Sequence, residues 1–253
     1  MSAQLTAPFQ ASPELAAVTG AGATHLASPD VQTGALDMRS ISKRWGSRGP
    51  AVLDGLDLTL RPGTLTWVGG RNGVGKTTML RIAAGLIDPG SGTVRAHGVA
   101  PRARGGRYRR LVSFLPAGDR GLYARLTVAR QLDFSARLAL IARVDRGAVV
   151  AQAIEAFDLT DLAECRVDRI SMGQRQRVRI AITFLSNPAV VLLDEPLTSL
   201  DAHGAELLAR ALGRLLECDG AALWCSPSPE VPDPSFDPGL ERWTLDAGRL
   251  VPA

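Results

Sequence analysis

The chain has 253 residues, 45% of them hydrophobic and 21% charged, which is typical of a globular protein with one large domain or two small ones. No apolar run approaches the roughly 18 residues that cross a bilayer, so we expect no membrane-spanning segment. A net charge of +4 is too small to indicate a nucleic-acid partner. The three cysteines have no metal-ligand spacing, and this pattern favours a reducing compartment.

The N-terminal stretch, residues 1–34, is rich in Ala, Ser, Thr, Pro and Gly and contains no Lys or Arg. Secretory signals and organelle presequences carry basic residues, so neither is expected here. The stretch has too little large apolar surface to offset the entropy of ordering it. We expect a disordered extension over 1–34 and a folded domain over 35–253.

Strand and helix patterns follow in chain order from residue 35. Apolar alternation or short apolar runs predict strands at 35–41, 56–60, 64–68, 92–97, 111–115, 190–193, 221–225, 240–245 and 248–251. Helical spacing predicts a helix from near Gly75 to a stop at Gly85, a mostly helical region at about 120–187, and a helix at about 202–217. Strands on both sides of a helical region predict a mixed α/β core with a helical subdomain.

Residues 70–77 fit the pattern G-x-x-x-x-G-K-[ST] between a predicted strand and a predicted helix, the context that supports a phosphate-binding loop. Glycines let backbone N–H groups face an anion, and the helix N-terminus adds positive charge. Lys76 is expected to reach the β- and γ-phosphates, and Thr77 to bind Mg²⁺. The predicted nucleotide-binding residues of the loop are Gly70, Arg71, Asn72, Gly73, Val74, Gly75, Lys76, Thr77 and Thr78.

Two carboxylates end the apolar run VVLLDE at residues 190–195. We expect Asp194 to join the Mg²⁺ shell and Glu195 to act as the general base that activates a water molecule. An ordinary Asp-Glu turn after a strand is the simpler interpretation. The phosphate loop upstream favours the catalytic one, with Lys76 and Glu195 as the catalytic residues.

A third segment, ISMGQRQRVRI at residues 170–180, starts an arginine-rich helix. Together with the phosphate loop, LLDEP and TSLD in this order, it resembles the ATP-binding cassette (ABC) family, whose LSGGQ-type signature has the same place. The resemblance covers about residues 36–251, and Met172 stands at a glycine position of the signature. It implies a P-loop NTPase core with a mixed β-sheet, an antiparallel β subdomain and a helical insert at about 120–187.

The resemblance also implies a mode of action. Two cassettes would join head to tail around ATP, with the signature residues Ser171, Gly173 and Gln174 capping the ATP bound to the other copy and Asp201 at the dimer seam. Trp45 would stack on adenine. The wording GDRGLYARLTV at residues 118–128 is similar to cassettes of ABC-2-type exporters. It implies a membrane-spanning permease subunit as partner and a cytoplasmic position on the inner face of the membrane.

Two positions depart from the family pattern. Ala117 stands where the family usually has a Gln that contacts Mg²⁺ or the attacking water, and Asp119, two residues further on, is the candidate substitute. Ser228 or a neighbour stands where the family has a His that contacts the γ-phosphate. Loss of one transition-state contact costs about 10²–10³ in rate, so a slow ATPase is expected.

Two alternatives stay open. The departures are also compatible with a degenerate or regulatory cassette with little hydrolysis, which acts as the partner of a second, more complete cassette or of a soluble complex. Five arginines within residues 102–110 are compatible with RNA phosphates or anionic lipid headgroups. A solvated loop is the preferred interpretation of this arginine cluster, and nucleic acid is not expected as a partner.

Overall fold

The computed structural model describes residues 34–46, 49–119, 121–227 and 240–253. Of the predicted extension, residues 1–33 lie outside these ranges. Within the described ranges the strands are β1 Leu36–Arg44, β2 Ala51–Leu60, β3 Leu65–Gly69, β4 Ser91–Ala96, β5 Val112–Leu115, β6 Val190–Asp194, β7 Ala221–Cys225, β8 Leu240–Asp246 and β9 Arg249–Pro252. The α-helices are α1 Lys76–Ala83, α2 Arg107–Leu111, α3 Val128–Leu138, α4 Arg146–Ala156, α5 Met172–Phe184 and α6 Ala202–Glu217.

The larger sheet has the strand order β5-β6-β7-β3-β8-β9. Neighbouring strands from β5 to β8 are parallel, and β9 is antiparallel to β8. Strands β3, β6 and β7 are buried along their whole length, which agrees with their largely apolar sequences. Because the carboxyl ends of parallel strands meet at one edge, the residues that follow these strands lie together there.

The smaller sheet is antiparallel, with the order β2-β1-β4. β1 pairs with β2 from Leu36 opposite Leu60 to Arg44 opposite Ala51, so both strands are longer than the sequence predicts. The register shifts between Met38 and Ile41, where the simple alternation of buried residues also breaks. The start of β2 lies against the loop that follows β3, where Val52 is close to Gly75.

Helices cover both faces of the larger sheet. Alternate residues of β6 face two different cores: Val190 and Leu192 belong to one, and Val191 and Leu193 to the other. The first core contains the buried residues of α1 and of the smaller sheet, and the second contains those of α3, α5 and α6. The predicted mixed α/β core with an antiparallel β subdomain and a helical insert is therefore confirmed.

One helix ends well before its sequence pattern does. Apolar spacing over residues 129–144 predicts a helix throughout, but α3 ends at Leu138. Leu140 has a left-handed φ of 62°, and the N–H of Ile141 donates to the carbonyl of Ala136 at 3.0 Å, which is a Schellman-type stop without glycine. The predicted stop of α1 at Gly85 is present, with φ 68°. Among the described residues, no helix is long and apolar enough to span a bilayer.

Candidate functional site

The phosphate loop connects β3 to α1 and is held closely by backbone on two sides. Gly70 has φ 141° and Gly75 has φ 119°, values that side chains rarely tolerate. A Cβ on Gly70 would lie 2.6 Å from the carbonyl oxygen of Leu245, and one on Gly75 would lie 3.0 Å from that of Val52. Both conformation and space therefore require glycine at these two positions.

Lys76 is inside the loop rather than beside it. Its side chain is buried, with 5% of the residue exposed. The Nζ atom donates hydrogen bonds to the carbonyl of Gly70 and, at 3.1 Å, to that of Arg71. The tip of the loop, residues 71–73, is exposed, and Val74 packs against the core. The loop thus encloses an ammonium group and leaves its tip open.

The N-terminus of α1 lies at the end of this loop. Its N-cap residue is Gly75, and no side chain among the described residues caps it. The first helical hydrogen bond joins the N–H of Met79 to the carbonyl of Gly75 at 2.9 Å. The N–H groups of the first turn, on Lys76, Thr77 and Thr78, have no acceptor within the helix. Together with the helix dipole, they form a place for an anion.

The buried end of β6 meets the start of α1. The Thr77 hydroxyl donates to Oδ2 of Asp194 at 2.8 Å, across 117 positions of sequence. Asp194 is 2% exposed, and burial raises the pKa of its carboxyl, while hydrogen bonds from the Thr77 hydroxyl and the Ala117 N–H and the charge of Lys76 act to lower it. Mg²⁺ prefers one or two such protein oxygens together with phosphate oxygens and water. The two side chains therefore fit a magnesium site.

Glu195 follows directly, at the same edge of the sheet. Its backbone has a left-handed φ of 51°, and its N–H donates to the carbonyl of Cys225 at 2.9 Å. This turn redirects the chain as it leaves β6, and the half-buried Glu195 lies next to the buried Asp194. A carboxylate in this place could accept a proton from a water molecule near the Asp194–Thr77 pair.

The signature segment begins α5 with a complete capping box. The Ser171 hydroxyl accepts a hydrogen bond from the N–H of Gln174 at 3.2 Å, and the Gln174 side chain accepts one from the N–H of Ser171 at 2.9 Å. Ser171 and Met172 are exposed, with 61% of Met172 accessible. The helix start therefore presents a polar group and an apolar group on the surface of a single chain.

The segment after β6 lies against this helix start. A Cβ on Gly173 would be 3.0 Å from the carbonyl oxygen of Ser199, so the two loops touch through backbone. Asp201 caps α6 by accepting from the N–H of Gly204 at 2.7 Å. A cleft of about 90 Å³ separates residues 118–119 from the signature and the 198–199 loop. The predicted seam residues Ser171, Gly173, Gln174 and Asp201 thus belong to adjoining segments.

Trp45 lies where the smaller sheet approaches the phosphate loop. It follows Arg44, which pairs with Ala51, and the next residue of β2, Val52, is the one that contacts Gly75. Trp45 is 53% exposed, and the Lys43 ammonium lies 5.0 Å from its ring centroid. An exposed ring in this position is available for stacking on a base.

The departures from the family pattern have different places in the structure. Ala117 has no polar side chain, but its backbone N–H hydrogen-bonds Asp194. Asp119 pairs with Arg175 at 3.3 Å and is half exposed, so its carboxylate is already directed to α5. Ser228 lies outside the described residues.

Sequence reasoning missed two buried polar side chains in α5. Gln176 and Arg179 are each 5% exposed and hydrogen-bond to each other. The sequence offers three arginines at alternate positions of this helix, and the pattern does not distinguish the buried one from Arg175 and Arg177.

Comparisons with known proteins agree with this arrangement. A sequence model of the family described as "ABC transporter" matches residues 53–198. An ABC transporter ATP-binding/permease protein of Mycobacterium tuberculosis is 36% identical over 176 residues, which cover 68% of this chain and 20% of that protein. The Fe(3+) ions import ATP-binding protein FbpC 1 of Haemophilus influenzae is 33% identical over 168 residues, which cover 66% of this chain and 50% of that protein. The chain thus spans half or less of these two relatives.

A solved structure shares the fold. It is a dimeric ATP-binding cassette in a post-hydrolysis state, bound to ADP and Pi, with a TM-score of 0.72. The alignment covers 85% of this chain and 96% of that chain at 22% sequence identity. At this identity the likeness concerns the fold alone.

Proposed function

The chain belongs to the ABC transporter family as an ATP-binding subunit, and we propose that it binds and hydrolyses ATP to power an exporter through a separate membrane-spanning permease. The observation that carries this proposal is the 2.8 Å hydrogen bond between Thr77 and Asp194, with Glu195 next in the chain. It joins a phosphate loop to a pair of carboxylates, which is what hydrolysis of a nucleoside triphosphate needs.

Binding would depend on groups that are already in place. The phosphates would occupy the uncapped N-terminus of α1, where backbone N–H groups and the buried Lys76 ammonium offset their charge. Lys76 would exchange its bonds to loop carbonyls for bonds to phosphate oxygens. Trp45 would stack on the base. Bound Mg²⁺, held through Thr77 and Asp194, would supply charge neutralisation of the phosphates.

Hydrolysis would depend on Glu195 as general base. Its carboxylate would take a proton from a water molecule. The hydrogen bond between Thr77 and Asp194 would keep the oxygen atoms of these two side chains in position. Ala117 contributes only a backbone N–H beside this site. We therefore propose slow turnover for the chain alone.

The signature segment would complete the site of a second cassette. Ser171 is exposed at a helix N-terminus and keeps a hydroxyl proton to donate to a γ-phosphate. Gly173 would allow the close approach, and Asp201 would lie at the seam. Head-to-tail pairing, with a copy of this chain or with another cassette, would place this end of α5 over the other subunit's phosphate loop.

The transport direction and the permease belong to the same proposal. Export is supported by the similarity of residues 118–128 to ABC-2-type exporter cassettes, although several relatives are named as import proteins. The folded cassette, residues 35–253 with its helical subdomain at about 120–187, would bind the permease on the cytoplasmic side of the membrane. Co-purification of a membrane protein with the full chain tests this part.

A degenerate cassette is the second candidate. It is favoured by Ala117, which offers no polar side chain where the family usually has Gln. In this case the chain would bind ATP and support a more complete partner cassette.

Phosphate release from Mg²⁺-ATP separates the two candidates. We expect measurable hydrolysis by the wild-type chain and a decrease of roughly 10²–10⁴-fold in Glu195→Gln, with ATP affinity unchanged. Glu206→Gln on the exposed face of α6 is the control and should keep the wild-type rate. Equal and negligible rates for the wild type and Glu195→Gln would support the degenerate cassette.

A further inference from the structure

Two buried polar side chains in α5 lie one helical turn apart, Gln176 and Arg179. Buried charges cost free energy unless they are paired or hydrogen-bonded, so a buried arginine requires an explanation. Burial lowers the pKa of Arg179, against the attraction of Asp119. The guanidinium is nevertheless connected to two backbone groups from different parts of the chain, to the first directly and to the second through Gln176.

The first group lies after β5. Nη2 of Arg179 donates to the carbonyl of Pro116, and Nη1 donates to Oε1 of Gln176. The residue after Pro116 is Ala117, whose N–H hydrogen-bonds the carboxylate of Asp194. Pro116, which accepts the hydrogen bond from Arg179, therefore directly precedes the residue whose N–H bonds to the predicted magnesium ligand Asp194.

The second group lies after β6. Nε2 of Gln176 donates to the carbonyl of Pro196 at 2.9 Å. Pro196 follows Glu195, the predicted general base. Arg179 and Gln176 on α5 therefore hydrogen-bond to the segment after β5 and to the segment after β6, which lie next to Asp194 and Glu195. The same helix carries Ser171 at its exposed N-terminus.

We propose that Arg179, supported by Gln176, is a positioning residue for ATP hydrolysis, which links the helix bearing Ser171 to the segments that hold Asp194 and Glu195. This inference rests on the proposed function. Arg179 does not touch the reacting atoms. It acts through the carbonyl of Pro116, which keeps the Ala117 N–H directed at Asp194.

The hydrogen bonds of Arg179 and Gln176 matter because residue 117 has no polar side chain. A glutamine there could hold itself against the site through its own amide. Alanine can contribute only its backbone, so its contribution depends on where the segment is held. A movement of α5 on closure with a second cassette would reach the carboxylates through the same hydrogen bonds.

The test compares Arg179→Met with Arg177→Met in the full chain. Methionine keeps the apolar stem and removes the donors in both variants. Arg177 lies in the same helix but bonds to Asp158 instead, away from the carboxylates. The readouts are the kcat and KM for ATP, the Mg²⁺ concentration for half-maximal rate, ATP affinity with EDTA and with Mg²⁺, and amide hydrogen exchange of residues 112–119 in the nucleotide-free chain.

We expect Arg179→Met to lower kcat and to raise the half-activating Mg²⁺ concentration, each by roughly tenfold, which is the usual size for a residue that orients a metal ligand. Its ATP affinity in EDTA should stay within about twofold of wild type, its gain in affinity on adding Mg²⁺ should shrink, and the Ala117 amide should exchange faster. Arg177→Met should match the wild type in all of these. Both variants are expected to lose some thermal stability.

Equal Mg²⁺ dependence and equal Ala117 exchange in the two variants would overturn the inference. If Arg179→Met does not fold, Gln176→Met is measured instead, with a smaller effect in the same direction expected and a wild-type Mg²⁺ dependence as the contradicting result. A wild-type chain without hydrolysis would contradict the proposed function, and in that case the exchange of Ala117 and the Mg²⁺ effect on ATP affinity still decide the role of Arg179.

Discussion

The N-termini of α1 and α5 are two helix ends with the same electrostatic character and opposite local chemistry. The first turn of α1 follows Gly75 and has no side-chain cap among the described residues. The first turn of α5 is capped on both sides by Ser171 and Gln174. The end of α1 lies beside the buried Lys76, whereas the end of α5 is on the surface.

Under the proposed head-to-tail pairing, this difference would give the two helix ends different roles. The first-turn N–H groups of α1 have no acceptor within the helix and no side-chain cap among the described residues, so an external anion could satisfy them. The capping box of α5 satisfies the N–H groups of Ser171 and Gln174, and it leaves the Ser171 hydroxyl proton and the N–H groups of Met172 and Gly173 without an acceptor within the helix. In the proposed head-to-tail pair, phosphate binding would be complete within one chain, while closure over the phosphate would use the end of α5 from the other.

The largest expected effect comes from removing the backbone space at the α1 end. Gly70→Ala would put a Cβ 2.6 Å from the carbonyl oxygen of Leu245 at φ 141°, and we expect ATP affinity to fall by at least about 100-fold. Gly73→Ala is the matched control, since its φ is also positive, at 80°, but no atom lies within 4 Å of the added Cβ. Its strain should cost about 1 kcal/mol, close to fivefold in affinity. Calorimetric titration with ATP measures both affinities. An equal loss of affinity in the two variants would contradict the importance of the close contact at Gly70.

The next largest effect distinguishes the capping role of Ser171 at the start of α5 from its proposed role in hydrolysis. Ser171→Asp keeps a good N-cap, so the free energy of unfolding should stay near wild type. Its negative charge would repel the other subunit's γ-phosphate, and we expect hydrolysis to fall about 100-fold with single-chain ATP affinity unchanged.

Compared with Ser171→Asp, Ser171→Ala should lower the stability more and the hydrolysis rate less. It should lose about 0.5–2 kcal/mol of stability with the cap, and about tenfold in rate with the donor. Urea unfolding and phosphate release are measured on the same preparations. Wild-type hydrolysis by Ser171→Asp would place the signature outside the reaction.

The smallest expected effect concerns stability and pH at the α1 end. Burial raises the pKa of Asp194 above its ordinary value of 3.8, so the folded chain holds this proton more tightly than the unfolded chain. The charged form therefore destabilises the fold increasingly as pH rises from the ordinary pKa through the folded one. Asp194→Asn removes this cost and can still accept from Thr77.

In EDTA, we expect Asp194→Asn to unfold at a higher temperature than the wild type at pH 8, with the gap narrowing at acidic pH, and to lose hydrolysis. Asp201→Asn is the control. Asp201 also accepts a hydrogen bond at the start of a helix, α6, but its position is exposed. A gap that does not change with pH would mean that the charge of Asp194 is already balanced.

Much of the core could be predicted from sequence because local patterns encode it. The glycine loop, the apolar run of β6 and the serine before α5 each have a short-range signal, and the predicted strands and helices around them are present. The hydrogen bond between Thr77 and Asp194 could be expected only from the resemblance, since 117 positions separate the two residues.

What the sequence could not show depends on burial and on backbone. Arg179 has the same composition signal as Arg175 and Arg177, and only packing makes it the buried one. The hydrogen bond from Ala117 to Asp194 involves an N–H that every residue except proline carries. The stop of α3 uses Leu140 in a left-handed conformation, where the usual signal is glycine.

Binding of the ATP phosphates by the loop around Lys76 can be measured by calorimetric titration of the full chain with ATP and Mg²⁺. We expect saturable binding of one ATP per chain, weakened at least about tenfold in Lys76→Ala, because a charged hydrogen-bond donor is removed. Arg210→Ala on the exposed face of α6 should bind as the wild type does. No binding by the wild type, or equal binding by Lys76→Ala, would contradict phosphate binding by this loop.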